Sequence, residues 1–447
     1  MAAFLLENIS FFIYNIAMEV KNRIEEKLNI SKNISLSLTH VILMNAYVVP
    51  LVISMNANMK EASTAIFVAR VLIASGLATF LMASFFVRYP LIFGASFLPV
   101  AASVSIIQNS GFNSFRSAFL IASIIFFILS LTKKFDRLIK YLLPGNMGAF
   151  IVIIIGFSLL PMGFTGQIFI ENEFSIRENV ILALITMISM FTFSILSNKK
   201  IKTASFFRVF GGIISIIIGA FVSFLIKEKD FSQVRNSSLI SPIFEGFNFK
   251  IQTNFSEVFT ILIILIVMIT ENTGSILVAQ EETKVKIKEE KINSLFINWA
   301  FLNFISSLIY ALPISIFTSN AGLIRMTDSY SRHIYKYAGI ILILLGLSGK
   351  LMSLLSLIPT SVIGGIFVLI SANIVINGIK MIDFKDFDEI DGLILAFSII
   401  IAMALSMMDQ KVLSNLPSIL KNLLQSSIAS TSILAIILNR ILKSNNK

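Results

Sequence analysis

The chain has 447 residues, of which 56% are hydrophobic and only 14% charged, and its mean hydropathy is +0.87; that is too apolar for a soluble enzyme of this length and fits a polytopic membrane protein. The net charge of +11 would fit a nucleic-acid partner, but the placement of the charges excludes that reading, as shown below. With no cysteine and only two histidines, His40 and His333, the chain has no disulfide framework and no conventional zinc site.

Residues 1–33 place Phe4, Leu5, Ile9, Phe12, Ile13 and Ile16 at helical spacing ahead of Lys21, Arg23, Glu25, Glu26 and Lys27. The pattern predicts an amphipathic helix lying on the membrane or packing on the membrane-spanning part. It lacks the basic leading end and small-residue cleavage site of a signal peptide. Apolar segments then recur near 36–55, 63–83, 90–108, 115–132, 147–164, 178–196 and 208–226. A polar stretch at 228–255 separates them from a second set near 257–279, 293–311, 313–328, 337–356, 359–378, 391–408 and 421–442, with a polar tail at 443–447. The organisation expected is therefore a first seven-segment unit over 34–227, a loop, and a second seven-segment unit over 256–442, with both termini on one side of the membrane.

Lysine and arginine concentrate on cytoplasmic loops. With the N-terminus inside, the inside pieces carry about 24 basic residues against about 10 outside, and Arg70 and Arg325 fall within segments. A shift of one helix would reverse that bias. The basic excess thus reads as topology and contact with anionic lipid, with both termini cytoplasmic and no nucleic-acid surface.

Two segments are not ordinary helices. One reads Tyr89-Pro90-Leu91-Ile92-Phe93-Gly94-Ala95-Ser96-Phe97-Leu98-Pro99, the other Leu312-Pro313-Ile314-Ser315-Ile316-Phe317-Thr318-Ser319-Asn320-Ala321-Gly322. Each has a proline, then β-prone residues, then small and polar ones. Irregular backbone at membrane depth is tolerated where protein or a cavity satisfies it. The two stand third in their sets, and interrupted segments in matching positions point to the binding site of an inverted-repeat transporter. Half-helices starting near Ser96 and Ser319 would aim free N–H groups at that site.

Thr270-Glu271-Asn272-Thr273-Gly274-Ser275 puts a carboxylate inside the eighth apolar segment. A helix-end reading fits poorly, because the run before Glu271 is shorter than the roughly 20 residues needed to span. An acid at that depth is expected to face a cavity and a ligand.

At these residues the chain resembles the nucleobase–cation symporter family of xanthine and uracil permeases (the nucleobase–ascorbate transporters). Phe317-Thr318-Ser319-Asn320-Ala321-Gly322 with Thr327 and Ser331-Arg332 is similar to the family's Phe-x-Gln/Glu-Asn-x-Gly and downstream Thr-Gly-x-x-Ser-Arg. Ile358-Pro359-Thr360-Ser361-Val362-Ile363-Gly364-Gly365 and Asn377-Gly378-Ile379 resemble its Ile-Pro-x-Pro-Val-x-Gly-Gly and Ser-Gly-Ile/Met. Thr39-His40 through Met44, Gly94-Ala95-Ser96-Phe97 and Glu271 through Ser275 resemble its Gln-His-x-x-x-Met, Gly-x-Ser-Phe and Glu-x-x-Gly-Asp/His. The resemblance implies an all-α polytopic membrane fold of fourteen transmembrane segments in two inverted seven-segment repeats. It further implies two broken segments carrying short β-strands, a division into core and gate domains, and a possible homodimer through the gate. Departures lie at Ser319, where the family has an acid or amide, at Ser275 in place of Asp or His, at Asp328 in place of Gly, and at Thr39 in place of Gln.

The function expected is secondary active import of a nucleobase, a purine such as xanthine ahead of uracil, in symport with a proton, or with sodium. An anion transporter of the same architecture, of the sulfate or bicarbonate type, is the alternative. The substrate-site candidates are Glu271, Ser275, Phe97, Ser96, Ser319, Asn320 and Gly322, with Glu271 accepting ring N–H groups and Phe97 stacking on the heterocycle. Proton coupling is assigned to Glu271 with His40 as partner, since histidine titrates near physiological pH. No nucleophile–base set, phosphate loop or metal spacing marks an enzyme, and no cofactor is expected beyond the coupling ion.

Overall fold

The computed structural model describes residues 24–132, 144–199, 203–247, 250–317, 330–408 and 427–444, with isolated positions at 320, 324, 412, 416, 420–421 and 424. Most of the predicted N-terminal amphipathic helix, together with Ser319, Gly322, Arg325 and Asp328, lies outside the described residues.

The first apolar run folds as α1 (Ile30–Met44) and α2 (Val48–Asn56), one span bent where Asn45 adopts a left-handed φ of 45°. Then come α3 (Glu61–Ser84), strand β1 (Phe93–Ala95), α4 (Val100–Ser110) and α5 (Phe112–Ser130). Next are α6 (Met147–Gly163), which runs into a π-turn over Phe164–Ile168, then α7 (Ile176–Asn198), α8 (Ala204–Ile226) and the short α9 (Ser232–Asn236). The second set holds α10 (Phe255–Thr283), α11 (Glu289–Leu308), strand β2 (Ile314–Ile316), α12 (Arg332–Leu347) and α13 (Gly349–Ser356). It ends with α14 (Thr360–Lys380), α15 (Glu389–Ser406) and α16 (Ser427–Ser444). Nine described helices are long and apolar enough to cross a membrane, counting α1 with α2 as one.

Side-chain caps set several helix starts. Ser175 with Glu178, Asn254 with Glu257, and Asp388 with Asp391 form reciprocal boxes that satisfy the first N–H groups of α7, α10 and α15. The eleventh predicted segment differs from expectation: it breaks at Ser348 into α12 and α13. The break is satisfied by the polar loop, where Ser241 N–H donates to Leu347 O at 2.8 Å and Gly349 N–H to Leu239 O at 3.0 Å.

Burial sorts the helices. In α3, 78% of the apolar stretch is buried, so it is an interior helix, whereas α7 and α15 bury only 22% and leave most of their apolar surface exposed. On α7 the exposed Ile181, Leu184, Ile188, Phe191 and Ile195 form one stripe at helical spacing. Packing divides the chain in two. One group joins α1, α3, α5, α10, α11 and α12 with both strands; the other joins α6, α7, α8, α14, α15 and α16. The groups meet where α1 touches α8, α2 touches α14 and α6 touches α10. The helices α3 and α12 pack extensively and cross at Gly76 and Gly339, where a Cβ on either would lie 2.6–2.7 Å from the other's carbonyl oxygen. Only glycine permits that approach.

Both interrupted segments do carry strands, and the strands pair with each other. The pairing is antiparallel, with Phe93 opposite Ile316, Gly94 opposite Ser315 and Ala95 opposite Ile314. Ser96 N–H donates to Pro313 O and Phe317 N–H to Ile92 O, each at 3.0 Å, extending the ladder at both ends. The second helix of each set supports the strand that follows it. Thr79 of α3 accepts from Phe93 N–H at 2.9 Å, and Asn303 of α11 accepts from Ile314 N–H at 3.0 Å.

Candidate functional site

Glu271 lies near the middle of the 29-residue α10. It is about 24 Å from the helix start and about 18 Å from its end at 1.5 Å per residue. The strand pair crosses this helix at the same depth. Ser96 Oγ donates to Glu271 Oε2 at 2.8 Å, and Ser315 Oγ donates to Oε1 at 3.0 Å. The two serines come from the two interrupted segments, so each carboxylate oxygen is oriented by a different half of the chain. One residue on, Asn272 Oδ1 accepts from Ile316 N–H at 2.9 Å while its amide donates to Met268 O at 2.8 Å. This side chain fixes β2 to α10 and so fixes Ser315 relative to Glu271.

Ser96 has a second task. Its hydroxyl accepts from Leu98 N–H at 3.1 Å, where the chain turns from β1 into α4. Phe97 follows, partly buried, with ring centroids 6.4 Å from Phe317 and 6.2 Å from Phe367. Glu271 is itself half-buried, and together with Phe97, Ile374 and Asn377 it lines two cavities of about 410 and 400 Å³. The first runs past Val152 and Ile155 toward Glu281, Glu282 and Lys380; the second passes Met44, Phe317 and Asn373 toward Ser197 and Arg208. Both therefore lead from Glu271 to one face of the molecule, the face holding the C-terminal ends of α7, α10 and α14 and the start of α8. Phe367, fully buried, stands earlier on α14 than any cavity-lining residue of that helix, on the side away from this opening.

Chemically, the site offers a carboxylate with two of its roughly four acceptor positions taken by serines and the rest available. Aromatic faces lie beside it. It suits a small flat molecule carrying N–H donors.

Of the remaining predicted residues, Ser275, Asn320 and His40 are described, and they sit behind this wall, whereas Ser319 and Gly322 lie outside the described residues. Ser275 is buried, and its hydroxyl contacts Glu271 O at 2.9 Å and Ile316 O at 3.2 Å, on the strand side of α10. Asn320 is buried and donates to His40 O at 2.8 Å, with Nδ1 of the same histidine at 3.3 Å. His40 is fully buried against Tyr335, ring centroids 4.8 Å apart, and does not line either cavity. The structure thus brings Glu271 and Phe97 to the cavity with Ser96 buried directly behind the carboxylate, and places His40 and Asn320 together in a second layer.

The sequence profile of the Permease family Xan_ur_permease matches residues 31–411. The chain belongs to the xanthine/uracil permease family. This permease is accordingly an integral membrane transporter and not an enzyme. It is 24% identical to the xanthine permease of Bacillus subtilis over 418 residues, covering 91% of this chain and 93% of the relative. It is 26% identical over 423 residues to the uric acid permease PucJ of the same organism, covering 91% and 92%, and 25% identical over 423 residues to the nucleobase transporter PlUacP of Paenibacillus larvae, covering 92% and 94%. Among solved structures, the transmembrane domain of a cyanobacterial bicarbonate transporter, BicA, superposes with a TM-score of 0.59 at 13% identity, covering 86% of this permease and 98% of that chain. The murine anion transporter Slc26a9 superposes with a TM-score of 0.63 at 11% identity, covering 97% and 72%. At such identities these two likenesses speak to fold alone.

Sequence reasoning did not single out Ser315, Asn272, Asn303, Phe317 or Asn373. Ser315 was hidden because only the strand register shows which face of β2 it occupies. Asn373 and Asn377 did leave a signal: two amides four residues apart on an otherwise apolar membrane helix.

Proposed function

We propose that the permease imports a purine nucleobase of the xanthine or urate type in symport with a proton. The observation that carries this reading is Glu271, a carboxylate at mid-helix, gripped by one serine from each interrupted segment and open to a cavity with aromatic walls. Oxidised purines present ring N–H groups that such a carboxylate accepts, and a flat π-face for Phe97. The named relatives, a xanthine permease and a uric acid permease, favour purines over uracil. A carboxyl at this depth is also suited to carry a proton inward with the substrate. The bicarbonate and SLC26 structures favour an anion-transport reading, but a carboxylate facing the cavity repels sulfate, which has no N–H to offer it, whereas a purine, even as its monoanion, still offers N–H groups that offset the repulsion.

In the same reading the chain forms fourteen segments in two inverted repeats. The group holding the strands acts as the core and the group of α6–α8 and α14–α16 acts as the gate, through which two copies pair. Both termini are cytoplasmic, so the cavity opens inward.

The test is uptake of radiolabelled xanthine in cells lacking their own purine permeases, with unlabelled xanthine, urate, guanine, uracil and sulfate as competitors. Glu271→Ala is expected to abolish uptake at unchanged membrane abundance. Glu271→Gln is expected to keep substrate binding but lose accumulation driven by a proton gradient. Wild-type uptake by the alanine variant would remove Glu271 from the mechanism. Competition by sulfate or uracil but not by purines would remove the substrate assignment.

A further inference from the structure

Across the cavity from Glu271 lies α14, of the other packing group, and it presents Asn373 and Asn377. They are four residues apart and so share one helix face, about one turn from each other. Asn377 lines both cavities, as Glu271 does, and Asn373 lines the one that also holds Met44 and Phe317. Other asparagines of the membrane-spanning part spend their amides on the protein: Asn56 on Val52 O, Asn272 on Met268 O, Asn303 on Trp299 O and Asn320 on His40 O. Among the described residues neither Asn373 nor Asn377 has such a partner, and both reach the cavity. Asn373 is exposed and Asn377 half-buried, so both amides are open to the cavity, where a ligand would displace the water that hydrates them.

We infer that Asn373 and Asn377 form the second wall of the substrate site and select purines by their lactam edges. This inference rests on the purine reading above. A primary amide carries a donor beside an acceptor, the complement of a ring –NH–C=O edge, with which it makes two antiparallel hydrogen bonds. Xanthine has such edges around both carbonyls of its six-membered ring and urate adds more on the five-membered ring; hypoxanthine has one, and adenine pairs an amide only through N6–H beside N1 or N7, with no N–H on its six-membered ring for Glu271. With Glu271 accepting ring N–H on one side and two amides reading lactam edges on the other, the site ranks purines by oxidation state. The substrate also bridges the two packing groups, since Glu271 belongs to one and α14 to the other.

Kinetics of uptake test this. Asn373→Ala and Asn377→Ala are each expected to raise KM for xanthine about tenfold, and the pair by more, with kcat little changed, because each removes ligand hydrogen bonds whose loss is of that order. Inhibition by 1,3-dimethylxanthine, which keeps the ring and both carbonyls but has no lactam N–H, should change less, so that discrimination against it narrows. Asn377→Gln, which retains the amide, should lie between alanine and wild type. An unchanged xanthine KM in the double variant, beside normal wild-type xanthine uptake, would overturn this inference and leave the purine reading standing. No purine uptake by the wild type would overturn both. Should the double variant not reach the membrane, Asn377→Ser alone carries the same expectation, and a wild-type KM there would overturn it.

Discussion

An ionised side chain at the centre of a membrane helix costs about 3 kcal/mol or more, and the protein must offset that cost locally. At Glu271 it does so with Ser96 and Ser315, since hydrogen bonds to a charged group contribute about 1.5–3 kcal/mol each. The arrangement leads to an expectation for Ser96→Ala and Ser315→Ala. Each should raise KM for substrate roughly tenfold, since about 1.4 kcal/mol is a factor of ten. Ser96→Ala should be the worse of the two, because that hydroxyl also accepts from Leu98 N–H at the entry to α4. Concentration-dependent uptake measures this, and a double variant with wild-type KM would show that the serines do not orient the acid. Glu271 was legible because an acid stands out in an apolar run, and Ser96 because it follows a proline-marked break. Ser275 was singled out by its likeness to the family's second polar position on this helix; in the structure its hydroxyl donates to the carbonyls of Glu271 and Ile316. Spacing assigns a helix face; it does not assign which hydrogen bond a short hydroxyl makes.

At the scale of elements, periodicity placed the long described helices to within several residues, and the prolines located the two interruptions. What it did not give was the support. The pairing of β1 with β2, and the loan of Thr79 and Asn303 to the strands, depend on contacts between residues far apart in sequence. Nor did it give the split of α12 from α13, which exists because residues 239–241 of the polar loop supply backbone partners at the break. Glycines were likewise ambiguous in sequence until the helix crossing was known. Gly76→Leu should force α3 away from α12 at the carbonyl of Gly339, an overpacking that costs about 1–3 kcal/mol. Gly76→Ala should be the milder form. In detergent, Gly76→Leu should melt several degrees lower than wild type and elute with more aggregate. Equal melting of the two would mean that the crossing relaxes freely, contrary to its backbone-to-backbone contact.

For the whole molecule, the distribution of charge sets the expected direction in which the cavity faces. The polar loop between the two sets is fastened to the strand-bearing group by two buried arginines. Arg70 donates from Nε to Ile243 O at 2.9 Å and from Nη2 to Glu245 O, with its guanidinium 4.9 Å from the Phe247 ring. Arg116 donates to Lys250 O at 2.6 Å and lies 4.4 Å from the Tyr310 ring. The intramembrane arginines of the sequence are thus partly accounted for as clamps on a loop, which removes Arg70 from the substrate chemistry. That loop lies beyond the ends of α8 and α13 opposite to the cavity mouth, where Lys380, Glu281 and Arg208 stand. If basic residues mark the cytoplasm, the mouth is cytoplasmic and the loop is external. The chain has no cysteine, so single introduced thiols report the orientation without background. Asn236→Cys, exposed at the end of α9, should react with a membrane-impermeant maleimide in intact cells. Lys286→Cys, exposed between α10 and α11, should react only after permeabilisation. The reverse pattern would invert the molecule in the membrane and turn the cavity outward; since substrate enters an importer from outside, Glu271 would then be poised to receive its substrate and not to release it.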